Sequence, residues 1–478
     1  MAREEYEAVI GLEVHSELST KTKIFCKCPT KFGASPNTQV CPICTAMPGA
    51  LPVLNEKVVE YAVKAGIATN CEISRDSKSD RKNYFYPDLP KSYQISQYDK
   101  PLCQNGYIEI ETSKGKKKIR IERIHIEEDA GKLNHDDFSG GSLVDLNRAG
   151  VPLIEIVSKP DFSSSEEVDS YLKKLKSILE YIEVSDCKMQ EGSFRADVNV
   201  SVHKKGEPFG TRTESKNMNS FRSIVREIDY EIERQIDILE NGGRVLQQTL
   251  KWDDVSGKTF PMREKENADD YRYFPDPDLA AIKLSEEYIK NIKDNLPELP
   301  ESRFKRYIEE YQMSKKDAEI IVSSKYLSDL YEKASEICNN RKAVSNWIIS
   351  DISRILNEKE MEPSNIPFTA ENLANLILII DKGMISSSIA KKVLEEMFES
   401  AKDPEEIVKE KGLLQISDES EIKRIVVEIM KANEQSVADY KAGKEKALGF
   451  LVGQAMKQTK GKANPQMLNK LFIEEMNK

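Results

Sequence analysis

The sequence predicts an α+β chain, with a strand-rich first part and an all-helical second part. Two observations carry this. Over roughly the first 290 residues, apolar and polar side chains alternate in short runs broken by turn residues, the period of strands with one buried face. From about Ser285 onward the spacing is helical, as in ESRFKRYIEEY, SKKDAEIIVSSKYLSDLYEKASEI and TAENLANLILIID.

Each element has a local reason. In VIGLEVHSEL, Ile10, Leu12 and Val14 point one way, and Gly11, Glu13, His15 and Glu17 the other. In EGSFRADVNVSVH, Phe194, Ala196, Val198, Val200 and Val202 oppose Ser193, Arg195, Asp197, Asn199, Ser201 and His203. In GTRTESKN, Arg212, Glu214 and Lys216 share a face. IHIEEDAGK brings His125, Glu127, Glu128, Asp129 and Lys132, and Glu155 interrupts the apolar strand PLIEIV. Further on, Ser314 and Thr369 stand as N-caps before helical runs. Asn295-Leu296-Pro297 and Leu299-Pro300 mark one boundary and Asp403-Pro404 a second. Three domains are expected, over residues 1–293, 294–404 and 405–478.

Composition narrows the function. The chain has 478 residues, 39% hydrophobic and 32% charged, and its start, MAREEYEAVIG, is acidic without a signal-peptide core. No apolar run approaches the roughly 20 residues of a membrane span. Eight cysteines, four of them scattered, argue against a disulfide scaffold and for a reducing cytoplasm. A net charge of -10 argues against a protein wholly devoted to nucleic acid. Within the tail the stretch from Lys441 to Lys470 departs from that balance: seven lysines (441, 444, 446, 457, 460, 462 and 470) face one acid, Glu445, with glycines between them. That is either a solvated helix face or a patch for a nucleic-acid backbone.

Glu, His, Asp and Asn are unusual on plain solvent faces of strands, and Glu155 inside PLIEIV is costly unless paired or metal-bound. Converging acidic faces can hold a hard cation and leave room for phosphates, with Lys and Arg balancing phosphate charge. A concave sheet holding Mg²⁺ and a nucleotide is therefore expected. No P-loop, dinucleotide fingerprint or nucleophile elbow is present, and no cysteine has a convincing His partner. In FCKCPTKFGASPNTQVCPIC, by contrast, Cys26, Cys28, Cys41 and Cys44 form two short pairs that suit a closed tetrahedral zinc site. A closed site has no open position and is expected to be structural.

Taken in order, GLEVHSEL, RKNYFYPDLPKSYQISQYD, HIEEDAGK, DLNRAGVPLIEIVSKPD, EGSFRADVNVSV, TESKNMNSF and KENADDYRYFPDPDL strongly resemble the B subunit of the tRNA-dependent amidotransferases. The likeness extends through the tail. It implies a cradle domain folded like glutamine synthetase, then a helical domain and a tail domain that holds tRNA. It implies ATP-dependent phosphorylation of the side-chain carboxylate of Glu-tRNA(Gln) or Asp-tRNA(Asn), then amidation. Ammonia would come from a partner amidase (glutaminase), the A subunit, in a heterotrimer completed by a small C subunit. Carried over by motif, His15, Glu128 and Glu155 are expected to ligate Mg²⁺. Glu13, Glu127 and Glu214 would serve a second ion or position ammonia, and Lys132, Arg195 and Lys216 would contact phosphates. Some family members lack the four cysteines, in keeping with a structural role. Two departures stand out: Ser92 replaces the usual Gly in PKSYQ, and Ala280-Ala281 replace prolines. Two rival readings are a zinc-containing RNA-binding module without catalysis and a ligase acting on a small molecule without tRNA.

Overall fold

A computed structural model describes residues 5–136, 141–264, 268–414, 419–444, 446–459 and 463–477. The chain divides into two compact units, Met1–Pro300 and Glu301–Lys478.

The first unit is built on a nine-stranded sheet. Its strands are β1 (Tyr6–Glu17), β2 (Glu72–Ile73), β3 (Cys103–Thr112), β4 (Gly115–Glu128), β5 (Pro152–Ser158), β6 (Phe194–Lys204), β7 (Thr213–Lys216), β8 (Gln248–Asp253) and β9 (Lys258–Glu264). Across the sheet they run β9-β8-β7-β6-β1-β5-β4-β3-β2, antiparallel except for the β7–β8 pair. The alternation read in the sequence sorts the two faces. Ile10, Leu12 and Val14 of β1, Ile124 and Ile126 of β4, Ile154 and Ile156 of β5, and Phe194, Ala196, Val198 and Val200 of β6 are all buried in one core. Helices α1 (Glu56–Ala68), α2 (Ser165–Tyr181) and α3 (Phe221–Glu240) supply the rest of that core. Burying each such Ile or Val contributes about 1.5–3 kcal/mol. The three helices start on Asn55, Ser164 and Ser220, whose side chains accept from Lys57, Glu167 and Ser223 N–H groups. The opposite face carries the polar residues.

Helix α4 (Glu286–Asp294) explains where the first unit ends. Its Ile292 is buried in the sheet's core, and Leu296 and Leu299 pack against that core. The unit thus runs on to Pro300, past the expected break at 293. Ser92 gives the sequence departure a physical meaning. It closes a turn through its N–H to the Leu89 carbonyl and holds φ at 59°, the left-handed region that glycine favours. Ser92→Gly is expected to stabilise the protein by about 0.5–1 kcal/mol, read as a higher denaturant midpoint; a lower midpoint would mean that the hydroxyl matters more than the strain.

The second unit is helical. Ser314 accepts from the Asp317 N–H, and Thr369 forms a capping box with Asn372. SKKDAEIIVSSKYLSDLYEKASEI forms two helices, Lys315–Val322 and Lys325–Cys338, parted at Ser323-Ser324. Asp403 caps the helix Pro404–Glu410, whose Ile407 and Val408 are buried. Asp403 also accepts from Asn372 and Asn375, which ties this short helix to the preceding ones. A separate core starts only at Ile422 and is shared by the helices Glu419–Ala432, Lys446–Gln458 and Pro465–Met476.

Candidate active site and metal centres

The polar face of the sheet gathers its charges by register. His15 of β1 pairs with Arg195 of β6 on one side and Glu155 of β5 on the other, and Glu155 pairs with His125 of β4. Four strands thus place one residue each in a single row. Two residues along β1, Glu13 pairs with Asp197. Asn199, its partner Glu214 on β7, and Lys216 continue this face.

Within the row, His15 Nε2 lies 3.4 Å from a Glu127 oxygen and 3.6 Å from one of Glu155. His125 Nε2 lies 3.2 Å from Glu155 and 3.6 Å from Glu127. Burial disfavours a charged imidazole, but the Glu155 and Glu127 carboxylates outweigh it and push the His15 pKa up to about 9. Burial likewise opposes ionisation of Glu155, and the two imidazoles overcome it, holding that carboxyl well below its ordinary range.

Among the described residues, three groups have donor atoms mutually within 4.8 Å: His15, Glu127 and Glu155; Glu13, Asp197 and Glu214; and the four cysteines. The first fits Mg²⁺ by its donor set, two carboxylates and one imidazole, which fills part of an octahedron and leaves positions for phosphate oxygens and water. The second already has a cation beside it. The Lys216 ammonium bonds Asp197 and lies 3.3 Å from Glu214. Asn199 donates to Glu13 at 3.0 Å and Thr249 to Glu214 at 3.1 Å.

The Mg²⁺ set expected from the motifs is His15, Glu128 and Glu155; the structure groups Glu127, and not Glu128, with His15 and Glu155. The reason is the pleat. Successive side chains on β4 alternate, so His125 and Glu127 share the polar face, while Ile124, Ile126 and Glu128 share the other. Glu128 accepts from the Lys91 ammonium at 2.5 Å and the Ile95 N–H at 2.9 Å. Arg195 pairs with Asp129 at 3.0 Å. Lys132 stands exposed on the hairpin formed by Lys132–Asp136 and Gly141–Asp145, outside these groups. His125, Asp197 and Lys91 were not singled out as site residues from sequence. Counting by two from Glu127 and Arg195 would have found the first two; Lys91 comes from a loop and has no such signal.

The cysteine loop forms a second centre. The Cys41 and Cys44 sulfurs are 3.9 Å apart. Four thiolates around zinc at about 2.3 Å stand roughly 3.8 Å from one another, so the set fits. A hydrogen bond from Cys26 is the main cause that brings the Cys44 thiol down to about 4, against burial and with help from the Cys41 N–H and Lys23. The loop is tied to the segment entering β5: Asn37 N–H donates to Asp145, Gln39 N–H to Asn147, and Asn147 to the Ser35 carbonyl. Cys26 and Cys44 also line a cavity of about 260 Å³ together with Lys23, Phe25, Lys91 and Glu128.

These features define an α+β protein with a carboxylate–imidazole cluster on the polar face of its sheet and a four-cysteine cluster in a loop tied to that sheet. Residues 8–290 match the family described as "GatB/GatE catalytic domain", and residues 329–476 match that described as "GatB domain". The chain is 60% identical to a protein of Caldicellulosiruptor bescii over 478 residues, covering 99% of this chain and 100% of that protein. It is 59% identical to one of Caldanaerobacter subterraneus subsp. tengcongensis (99% and 100% covered) and 54% identical to one of Clostridium tetani (99% of each). All three are named as the B subunit of an aspartyl/glutamyl-tRNA(Asn/Gln) amidotransferase. The chain belongs to this family, the B subunits of the tRNA-dependent amidotransferases. None of its described helices is long and apolar enough to cross a membrane.

Proposed function

We propose that the first unit phosphorylates the side-chain carboxylate of Glu-tRNA(Gln), Asp-tRNA(Asn) or both, and then amidates it. The observation that carries this is the row His15, Glu155 and His125 with Glu127 beside it, a cation site on a rigid sheet flanked by Arg195 and Lys216. A carboxylate is a poor electrophile, and its oxygen attacks the γ-phosphorus of ATP with ADP leaving. Ammonia then attacks the acyl carbon of the resulting acyl phosphate, and inorganic phosphate leaves. His15, Glu127 and Glu155 would hold Mg²⁺, which would supply charge neutralisation for the phosphoryl group. His125 orients Glu155 through its hydrogen bond, and Arg195 and Lys216 add fixed positive charge. The glutaminase nucleophile is assigned to a separate amidase partner, within a complex completed by a small third protein in the cytoplasm. The four cysteines would hold a structural Zn²⁺. The test is transamidation by the assembled complex, supplied with Glu-tRNA(Gln) and Asp-tRNA(Asn) separately; failure with both would sink the assignment.

The tail is proposed to hold the tRNA body. On the helix Lys446–Gln458, Lys446, Gly449, Phe450, Gly453 and Lys457 recur at helical spacing on one exposed face. A Cβ added at Gly449 or Gly453 would meet nothing within 4 Å, so internal packing does not require these glycines. Each costs about 1 kcal/mol in a helix, and they let a phosphate backbone approach closely. Lys441, Lys444 and Lys470 are exposed as well, and Lys460, Lys462 and Glu445 lie outside the described residues. Replacing Lys446 and Lys457 together by Glu is expected to raise KM for tRNA about tenfold and to reduce its salt slope by about 2. An unchanged salt slope would count against this role.

A further inference from the structure

Beside the acidic row stands a group of rings that the chemistry above does not use. Tyr86 packs on Tyr84 with centroids 6.3 Å apart, Tyr84 on Tyr271 at 6.0 Å, Tyr271 on Tyr273 at 6.0 Å, and Tyr273 on Tyr98 at 4.3 Å. The result is a continuous ladder of five tyrosines. It is drawn from two distant stretches of the unit, residues 84–98 and 271–273, which a small sheet joins by pairing Asp80–Asn83 with Tyr93–Ser96 and with Phe274–Pro275.

The ladder is not part of the hydrophobic core. None of the five rings belongs to the core cluster or to the half-buried residues packed on it, whereas Tyr93, Tyr230 and Tyr288 do. Tyr86 is 43% exposed and Tyr98 50%, and the flanking Phe85 and Phe274 are 78% and 44% exposed. Three of the four contacts are edge-on, at 62°, 71° and 72°, and Tyr98 and Tyr273 stack at 6°. The Lys82 ammonium sits over Tyr84 at 5.6 Å and Tyr271 at 4.7 Å, and Arg272 is exposed between two of the rings in sequence. The Tyr84 hydroxyl donates to Gln94 at 3.3 Å, and Gln94 donates to the Glu128 carbonyl at 2.8 Å, so the ladder stands against the end of β4 that carries Glu127.

Exposed aromatic faces with cations among them are the surface on which unpaired nucleotides stack, because every base has a π face and every phosphate needs a counter-charge. A single adenine needs one slot, whereas five rings in series with both ends exposed serve a run of bases. We infer that this ladder receives the unpaired 3′ nucleotides of the aminoacyl-tRNA and so delivers the esterified side chain to the cation site. The inference rests on the proposed function and names the contact that aligns its macromolecular substrate.

The experiment uses the assembled complex and steady-state transamidation. Tyr86→Ala and Tyr98→Ala are each expected to raise KM for the aminoacyl-tRNA about tenfold with KM for ATP in place, and Tyr98→Phe, which keeps the ring, is expected to restore the wild-type value. A second substrate carries abasic sugars at the two positions before the terminal adenosine. It should lose affinity for the wild-type enzyme and lose little more on the alanine variants, because the contact is already gone. Fully additive losses, an unchanged KM for tRNA, or a rise in KM for ATP alone would each overturn the inference while wild-type transamidation still stands. A wild-type complex that transamidates neither mischarged tRNA would instead overturn the proposed function.

Discussion

Glu155→Ala is expected to lower tRNA-dependent ATP turnover by about three orders of magnitude, the scale on which loss of preorganised transition-state charge stabilisation is felt. Glu155 is the centre of the row. It lies within 3.6 Å of His15 and within 3.2 Å of His125, and it is buried. Removing it takes away one of two carboxylate donors and leaves half-buried His15 and buried His125 with Glu127 as the carboxylate they still share. A direct readout is Mn²⁺ affinity, measured by paramagnetic relaxation on the complex without nucleotide. Glu155→Gln and Glu127→Gln should each weaken it at least about tenfold. Glu128→Gln should leave it near wild type and lower thermal stability, since Glu128 satisfies Lys91 and the Ile95 N–H on the other side of β4. Equal loss of Mn²⁺ affinity in the Glu127 and Glu128 variants would refute the division of the two carboxylates between faces.

That division shows what the sequence could and could not yield. Period-two alternation was legible in β1 and β6, so the buried face of Ile10, Leu12 and Val14 and the polar face of Glu13 and His15 follow from the letters alone. The same rule applied to HIEED puts Glu127, two residues from His125, on the polar face; the motif's adjacent acids mask it. The pairing of Glu155 with both His15 and His125 is a matter of register between strands far apart in sequence, which no local pattern encodes. Lys91 and the tyrosine ladder come from turns, where side-chain direction depends on the fold around them. The helix caps at Ser314 and Thr369 were legible because capping is local. The reach of α4 into the first core was not, because it depends on where Ile292 lands.

The cysteine loop carries the second large effect. Cys41→Ser with Cys44→Ser is expected to remove about one equivalent of zinc. It should lower the melting temperature by about 10 °C, the effect of about 3–5 kcal/mol on a unit of this size. The loss is smaller than the roughly 10–16 kcal/mol of isolated zinc-finger peptides, because this loop has other anchors. Val53 and Asn55 donate to the carbonyls of Phe25 and Ile24, and the Lys23 ammonium, buried, donates to the Leu146 carbonyl at 3.1 Å. Those anchors also set the effect on turnover. The loop braces residues 145–147, which lead into β5 and Glu155, and two of its sulfurs wall the cavity that holds Lys91 and Glu128. Loosening it should therefore reach the acidic row as a modest loss, within about tenfold for folded protein at low temperature, because β5 is still held on both edges by β1 and β4. Zinc analysis, calorimetry and single-turnover transamidation on the same sample separate the two effects. A thousandfold loss of turnover at unchanged melting temperature would make the sulfur-bound metal part of the chemistry; a large fall in melting temperature with turnover largely kept assigns it to the scaffold that holds Glu155 in register.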